Sequence, residues 1–180
     1  METLRCTNMD SAMGSLFLAA SAQGLVALEF DARLPRQQSI RPNPRDLRRE
    51  KEKKGITFKD SPRGMRPYVV ELEEYFSGKR REFTFQLDLR GTDFQLACWR
   101  ALLAIPYGET RTYAAIAHTV GKPNAFRAVG MANNRNPVAI VVPCHRVIAS
   151  DGTLCGYGGG LDVKRKLLEL EGALSGILAA

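Results

Sequence analysis

The chain has 180 residues, 44% of them hydrophobic, which is enough for one large domain or two small ones with an adequate core. No apolar run approaches the roughly 20 residues of a membrane-spanning helix, and the N-terminus lacks the basic-then-apolar pattern of a secretion signal. The formal net charge is +7. These features exclude a protein anchored by transmembrane helices and predict a cytoplasmic protein, or a nuclear one if the source has a nucleus, with no membrane partner.

The cysteines are too irregularly spaced to indicate a disulfide framework, and a reducing cytoplasm would keep them as thiols. They are Cys6, Cys98, Cys144 and Cys155. Zinc is not expected, because no two cysteines are close and the histidines, His118 and His145, are far apart in the sequence. We therefore predict no metal and no cofactor.

Most of the positive charge lies in residues 33–54, which hold nine Lys or Arg and three Asp or Glu, a net charge of +6. This proline-punctuated composition favours a solvated basic loop. The alternative is an auxiliary patch that attracts a polyanion. A second positive window, residues 107–149, has five Lys or Arg against one acid and contains Cys144. A positive field favours the thiolate form of a cysteine.

The first 90 residues predict a small α/β domain with an antiparallel sheet. Two β-rich runs around a turn predict a hairpin over residues 14–30. Apolar residues at helical spacing predict a helix over residues 66–76. Strict alternation of apolar and polar side chains predicts a strand over residues 82–89. Residues 33–54 would form the basic loop of this domain.

Residues 91–180 predict a second, mostly helical domain. The sequence TDFQ at 92–95 is a capping box that opens a first helix. Thr112 can cap the next helix, and Gly121 suits the left-handed position at its end. A third helix is predicted over residues 124–134. Two short helices joined by a glycine-containing turn predict a helix-turn-helix.

The third helix is rich in small residues around one long cation, Arg127. The small residues include Ala125, Ala128 and Gly130. One interpretation is a helix packed closely on a neighbouring element. The other is a helix that enters a narrow space such as the DNA minor groove, which is about 6 Å wide, with Arg127 reaching outward.

Residues 137–143 predict a short apolar strand that runs into Cys144, which is followed at once by His145. Most lone cysteines are small buried hydrophobic residues, and we assign that role to the other three. For Cys144 the adjacent histidine favours a nucleophile with a base, completed by a third, orienting group. The candidates for the orienting group are Asn136, Glu169 and Glu171. These parts alone would also allow a Cys–His hydrolase of small acyl substrates.

Several motifs resemble the O6-alkylguanine-DNA alkyltransferases. They are GTDFQLACWRALLAIPYGETRTYAAIA, GKPNAFRAVGMA, NP followed by PCHRV, GYGGGL and LLELEG. They cover about residues 91–172 in the family's order and spacing. The resemblance implies the bacterial single-chain type and an α/β (α+β) fold, with a small ribonuclease-H-like N-terminal sheet domain before the helix-turn-helix domain.

The resemblance also implies residue roles. Cys144 would be the acceptor thiol, His145 its base acting through a water, and Glu171 the group that orients His145. Asn136 would join this hydrogen-bond network.

The remaining implied roles concern DNA. Tyr113 would push on the 3′ phosphate to rotate the nucleotide, and its hydroxyl could also donate to the departing guanine. Arg127 would enter the base stack through the minor groove. The loop of Tyr157, Gly158 and Gly159 would close over the guanine. Further residues expected at the DNA are Ala125, Ala128, Gly130 and Arg135.

The implied function is DNA repair by direct reversal, in which the O6-alkyl group of a flipped-out guanine, or the O4-alkyl group of thymine, moves irreversibly to Cys144. The thioether product has no acyl carbonyl for water to attack, so each molecule is expected to act once. The expected partner is double-stranded DNA, bound through its minor groove by a monomer that could also bind cooperatively. The alternatives are the hydrolase and a damage-binding regulatory protein of the same fold.

Overall fold

The computed structural model of the protein describes residues 2–30 and 55–174. The chain divides into two compact units, one ending at Leu89 and the other starting at Arg90. The predicted basic loop, residues 33–54, lies outside the described residues. In the described ranges, no helix is both long enough and apolar enough to cross a membrane.

The first unit is built on a four-stranded sheet in the order β3–β2–β1–β4. The strands are β1 (Glu2–Ser11), β2 (Gly14–Ala20), β3 (Leu25–Phe30) and β4 (Ile56–Asp60). The predicted hairpin is formed by β2 and β3. The prediction of an antiparallel sheet was wrong in one respect, because β4 runs parallel to β1. The chain between β3 and β4 is long enough for the crossover that a parallel pair requires.

Helix α1 (Pro62–Phe76) packs against β1 and buries Met65, Leu72 and Tyr75. It begins four residues before the predicted start, at a proline. Proline is favoured in the first turn, where its missing N–H removes no intrahelical hydrogen bond.

The predicted strand over residues 82–89 is reduced to one parallel bridge between Leu25 and Leu87. The alternation in burial is nevertheless present over residues 82–87. Phe83 and Phe85 pack on tyrosine rings of α1, at centroid distances of 5.4 and 4.9 Å. The apolar face of this segment is therefore explained by its contact with α1 rather than by a full ladder of strand hydrogen bonds.

In its described residues, which end at Leu174, the second unit contains four α-helices and a two-stranded parallel pair. The helices are α2 (Asp93–Leu103), α3 (Tyr113–Thr119), α4 (Phe126–Asn134) and α5 (Leu161–Leu170). The strands are β5 (Arg111–Thr112) and β6 (Val147–Ile148). The capping box at the start of α2 is formed in both directions, as its sequence predicts. Helices α2, α3 and α4 pack against one another.

Helices α3 and α4 form the predicted helix-turn-helix. Thr112 caps α3 by accepting a hydrogen bond from the N–H of Ala115 at 3.1 Å, and Gly121 has a φ of +71°. Helix α4 starts two residues later than predicted, with Ala125 as its N-cap. The N–H of Ala125 donates to the carbonyl of Lys122 at 2.8 Å, so a tight turn uses the residues that were expected to open the helix.

The predicted apolar strand over residues 137–143 is wrong, because the segment is a buried turn. The side chain of Asn136 supplies the hydrogen bonds that a strand partner would otherwise make. Its Oδ1 accepts from the N–H of Val138 at 3.0 Å, and its Nδ2 donates to the carbonyl of Val142 at 2.7 Å. Ile140 takes a φ of +73° within this turn, a left-handed backbone that β-branched residues rarely adopt.

Candidate active site

Cys144 is buried at the start of a short 3₁₀ helix, Cys144–Arg146, directly after the Asn136 turn. The second N–H of the Asn136 amide points at the cysteine, with Nδ2 3.2 Å from Sγ. One amide group therefore closes the turn and also donates to the sulfur. A hydrogen-bond donor held at this distance stabilises negative charge on the sulfur and fixes the orientation of the Cys144 side chain.

His145 is fully buried, and its Nε2 lies 3.0 Å from Oε1 of Glu171. Burial lowers the pKa of His145, although the hydrogen bond that His145 donates to Glu171 acts in the opposite direction. The imidazole is therefore neutral at neutral pH, and Nε2 carries its proton because a carboxylate can only accept. Nδ1 keeps a lone pair and has no hydrogen-bond partner in the described part of the chain. This nitrogen is the one that can take a proton.

Glu171 is held by Arg146 as well as by His145. The Arg146 Nε and Nη2 atoms donate to the two carboxylate oxygens at 2.8 and 2.9 Å, and Nη1 donates to the carbonyl of Ile105 at 2.6 Å. Burial alone would raise the pKa of Glu171, but the hydrogen bonds and charges of His145 and Arg146 hold it well below its ordinary value. Arg146 balances the carboxylate charge, so Glu171 can orient His145 without keeping it protonated.

From the sequence, Arg146 was expected only to add to the positive field that favours the Cys144 thiolate, and its pairing with Glu171 was not predicted. Arg146 is buried and its guanidinium also lies 5.7 Å from the ring centroid of Tyr107. A signal was present, because a basic residue directly after the histidine needs a counter-charge if the apolar surroundings bury it. Glu169, the other acidic candidate, is exposed, so the structure distinguishes it from Glu171.

Lys164 is a second buried cation that the sequence analysis missed. Its side chain is fully buried, and Nζ donates to the carbonyls of Val147 at 2.6 Å and Cys155 at 3.0 Å. Burial lowers its pKa, while charge on Cys144 or Cys155 would raise it. The sequence did contain a signal for this burial. Lys164 lies three residues before Leu167, so helical spacing places it on the apolar face of α5.

Tyr113, the first residue of α3, lies within the electrostatic reach of the cysteine site. Burial raises its pKa to about 12, and charges on Cys155 and Cys144 act in the same direction. The phenol is therefore protonated at neutral pH and can donate a hydrogen bond. A Cβ at Gly130 would lie 3.8 Å from the Tyr113 ring, so α4 packs directly beside it.

The predicted DNA-contacting residues of α4 lie mainly on its exposed side. Arg127, Ala128 and Arg135 are exposed, Ala125 and Gly130 are half-buried, and the core-facing side is formed by other residues of the helix. Close packing within the unit therefore does not account for the small side chain of Ala128.

The glycine-rich loop lies beside the histidine. Tyr157 is buried, and its ring meets that of His145 edge-on at a centroid distance of 6.3 Å. Gly158 is half-buried and Gly159 is buried. Cys155, just before this loop, is half-buried, so the expectation that it is a buried hydrophobic residue was wrong; Cys6 and Cys98 are buried as expected.

Comparison with known proteins identifies the family. The ribonuclease-like domain of 6-O-methylguanine DNA methyltransferase matches residues 4–89, and its DNA-binding domain matches residues 93–173. The chain is 48% identical over 163 residues to the methylated-DNA–protein-cysteine methyltransferase of Methanosarcina barkeri, covering 91% of this chain and 94% of the relative. The relative of the same name from Mycobacterium leprae is 45% identical over 168 residues, covering 93% and 92%.

Solved structures agree with this assignment. A Mycobacterium tuberculosis OGT in complex with DNA is 45% identical, with a TM-score of 0.78 over 93% of this chain and 92% of that one. The O6-methylguanine-DNA methyltransferase of Pyrococcus kodakaraensis is 25% identical, with a TM-score of 0.61 over 94% and 99%. These matches confirm the predicted fold class and the resemblance of the sequence motifs. The chain therefore belongs to the 6-O-methylguanine DNA methyltransferase family.

Proposed function

We propose that Cys144 is the acceptor through which this protein repairs DNA by direct reversal, taking the alkyl group from O6 of guanine. As a member of its family, the protein is a transferase that moves an alkyl group from DNA to a cysteine of its own chain. The observation that carries the choice of Cys144 is its hydrogen bond from Asn136, next to the buried chain of His145, Glu171 and Arg146.

The reaction is a displacement at the alkyl carbon. The thiol proton passes through a water to Nδ1 of His145, and the Cys144 sulfur attacks the alkyl carbon. The carbon–O6 bond breaks, its electron pair stays on the guanine, and the guanine then takes up the proton that His145 returns through the water. Tyr113, which stays protonated because its pKa is about 12, donates a hydrogen bond to the departing base. The thioether cannot be hydrolysed by this site, so each molecule reacts once.

The proposed DNA partner is a duplex bound through its minor groove by α4. An O6-alkyl group inside a duplex can be reached only if the base is flipped out, at a cost of a few kcal/mol. Arg127 would fill the gap, while Ala125, Ala128 and Gly130 allow close approach and Arg135 meets the backbone. The loop of Tyr157, Gly158 and Gly159 would cover the flipped guanine. The exposed position of Arg127 and Ala128 on α4 supports this arrangement.

The protein is further proposed to act as a cytoplasmic monomer that can bind DNA cooperatively, and O4-alkylthymine is proposed as a second substrate. The proposed domains are residues 1–90 and 91–180, in keeping with the division of the chain into compact units between Leu89 and Arg90. No metal or cofactor is proposed, since the reaction described needs only side chains of the chain and water.

Intact-mass measurement after incubation with a duplex containing one O6-methylguanine tests the proposed acceptor. The wild-type protein should gain one methyl group, and peptide mapping should place it on Cys144. Cys144→Ala should bind the duplex without gaining mass, whereas the control Cys98→Ala should react normally. An adduct on Cys98 or Cys155 would disprove the assignment. Binding without any mass gain would indicate a damage-binding protein, and repeated turnover without DNA would indicate a hydrolase.

A further inference from the structure

Helix α4 exposes two large apolar side chains. Four such side chains are exposed in the described part of the chain: Leu103, Phe126, Met131 and Leu161. Phe126 is 48% exposed and Met131 is 59% exposed, and both belong to α4. The core-facing side of α4 is already supplied by Val129 and Ala132. Packing within the unit therefore does not explain why Phe126 and Met131 are large and apolar.

The two side chains flank Arg127. Phe126 precedes it directly, and the Arg127 guanidinium carbon lies 6.0 Å from the Phe126 ring centroid, within the range of a cation–π contact. Met131 follows Arg127 by four residues, so the two side chains lie on the same side of the helix, one turn apart. An exposed cation thus has apolar surface on both sides.

We propose that Phe126 and Met131 form an apolar bracket that packs against duplex DNA on either side of the point that Arg127 enters. The inference rests on the minor-groove function proposed for α4. It adds a class of contact that the small residues and Arg127 do not supply. Proteins of the minor groove often press apolar side chains such as Phe and Met against base steps, where they help to unstack the duplex.

The apolar bracket is suited to contact both the walls of the minor groove and the Arg127 side chain. The walls of the minor groove are lined by sugar C–H groups and base edges, which Phe126 and Met131 can cover while releasing water. The ring of Phe126 also restrains the Arg127 side chain before DNA is bound, so less conformational freedom is lost when it inserts. The bracket should therefore strengthen duplex binding and flipping without touching the reacting atoms.

The test compares Phe126→Ala and Met131→Ala with Leu103→Ala, which removes an apolar side chain of similar exposure, 42%, at the end of α2. Each protein is assayed for duplex affinity and for single-turnover transfer from O6-methylguanine duplex and from a free O6-alkylguanine base. Each bracket variant should lose about tenfold on the duplex, the equivalent of about 1.4 kcal/mol. The rate with the free base should stay within about twofold, because no flipping is needed. Leu103→Ala should match the wild type on both substrates.

Salt dependence separates an apolar contact from an ionic one. Phosphate neutralisation releases counterions and sets the slope of log affinity against log salt, whereas apolar contact does not. The bracket variants should therefore keep the wild-type slope. Phe126→Tyr should retain most of the duplex rate, and Phe126→Ala should cost less when Arg127 is already alanine.

The possible failures are distinguishable. Normal duplex rates in both bracket variants, with a loss in Arg127→Ala, would overturn the bracket and leave the proposed function intact. Equal losses on duplex and free base would also overturn it, since the residues would then support the fold. If wild-type protein transfers nothing to Cys144, the proposed function itself fails.

Discussion

Replacing Glu171 by glutamine tests whether His145, Glu171 and Arg146 act as one unit. The substitution keeps the size of the side chain but removes its charge, and it turns one accepting oxygen into a donor. Arg146 donates to both carboxylate oxygens, at 2.8 and 2.9 Å, and His145 also donates to Oε1 at 3.0 Å, so the new NH₂ group would face a donor at either position. At least one of these hydrogen bonds must therefore become a donor–donor contact.

The stability loss follows from burial. Arg146 would remain buried without a counter-charge, and breaking a buried pair from one side typically costs about 3–5 kcal/mol. For a chain of this size each kcal/mol shifts the melting temperature by about 2–4 °C, so we expect a decrease of about 10 °C. Thermal unfolding should be measured beside Glu169→Gln, the same substitution at an exposed site on α5.

The kinetic effect has a defined direction. A positioned base typically contributes about 10²- to 10⁴-fold in rate, and part of this should be lost when His145 is no longer oriented. Glu171 raises the pKa of His145, so its removal should lower that pKa further and move the acid limb of the pH–rate profile to lower pH. Single-turnover transfer from methylated duplex, measured below the variant's melting temperature, gives both quantities. If Glu171→Gln matches Glu169→Gln in melting temperature and pH profile, the proposed unit is refuted.

Three further outcomes are expected. Arg127→Ala should slow repair of the duplex by about 10²-fold, since flipping costs a few kcal/mol, and change the free-base rate only a few fold; equal losses would give Arg127 a role in the fold. Tyr113→Phe should slow transfer from both duplex and free base if its hydroxyl assists the departing guanine, whereas a loss on duplex alone would assign it to the 3′ phosphate. The free energy of unfolding should fall as the pH drops below about 6.5. The reason is that His145 takes up a proton in the unfolded chain at this pH, whereas in the folded chain its lowered pKa keeps it neutral. His145→Gln should abolish that pH dependence, and the same change at exposed His118 serves as its control.

The features that could be predicted from the sequence depend on local interactions. The capping box at 92–95, the Thr112 cap and the left-handed Gly121 are each set by residues a few positions apart. Such signals predicted the first residues of helices α2, α3 and α4 to within two positions. The family resemblance added the residue roles. Spacing alone had left the group that orients His145 open among Asn136, Glu169 and Glu171.

The features that were missed depend on distant partners. The apolar run 137–143 has the composition of a strand, but hydrogen bonds from the Asn136 side chain close it into a turn. The pattern of apolar residues does not predict such side-chain hydrogen bonds. Strand β1 has many polar residues and becomes a strand by pairing with β2 and β4. The buried states of Arg146 and Lys164 likewise depend on acceptors that lie far away in the sequence or on another element.

The left-handed backbone at Ile140 has a consequence for protein engineering. A β-branched residue at a φ of +73° carries a strain of about 1–3 kcal/mol, which the surrounding turn must offset. The Ile140 side chain is also fully buried, and removing a buried isoleucine side chain typically costs about 2–5 kcal/mol, at least as much as relief of the strain would return. A screen for heat-resistant variants should therefore keep isoleucine at position 140, although glycine or asparagine would relax the backbone. The buried side chain and the strained backbone together hold the turn that aims Asn136 at the sulfur, so stabilising substitutions should be sought elsewhere.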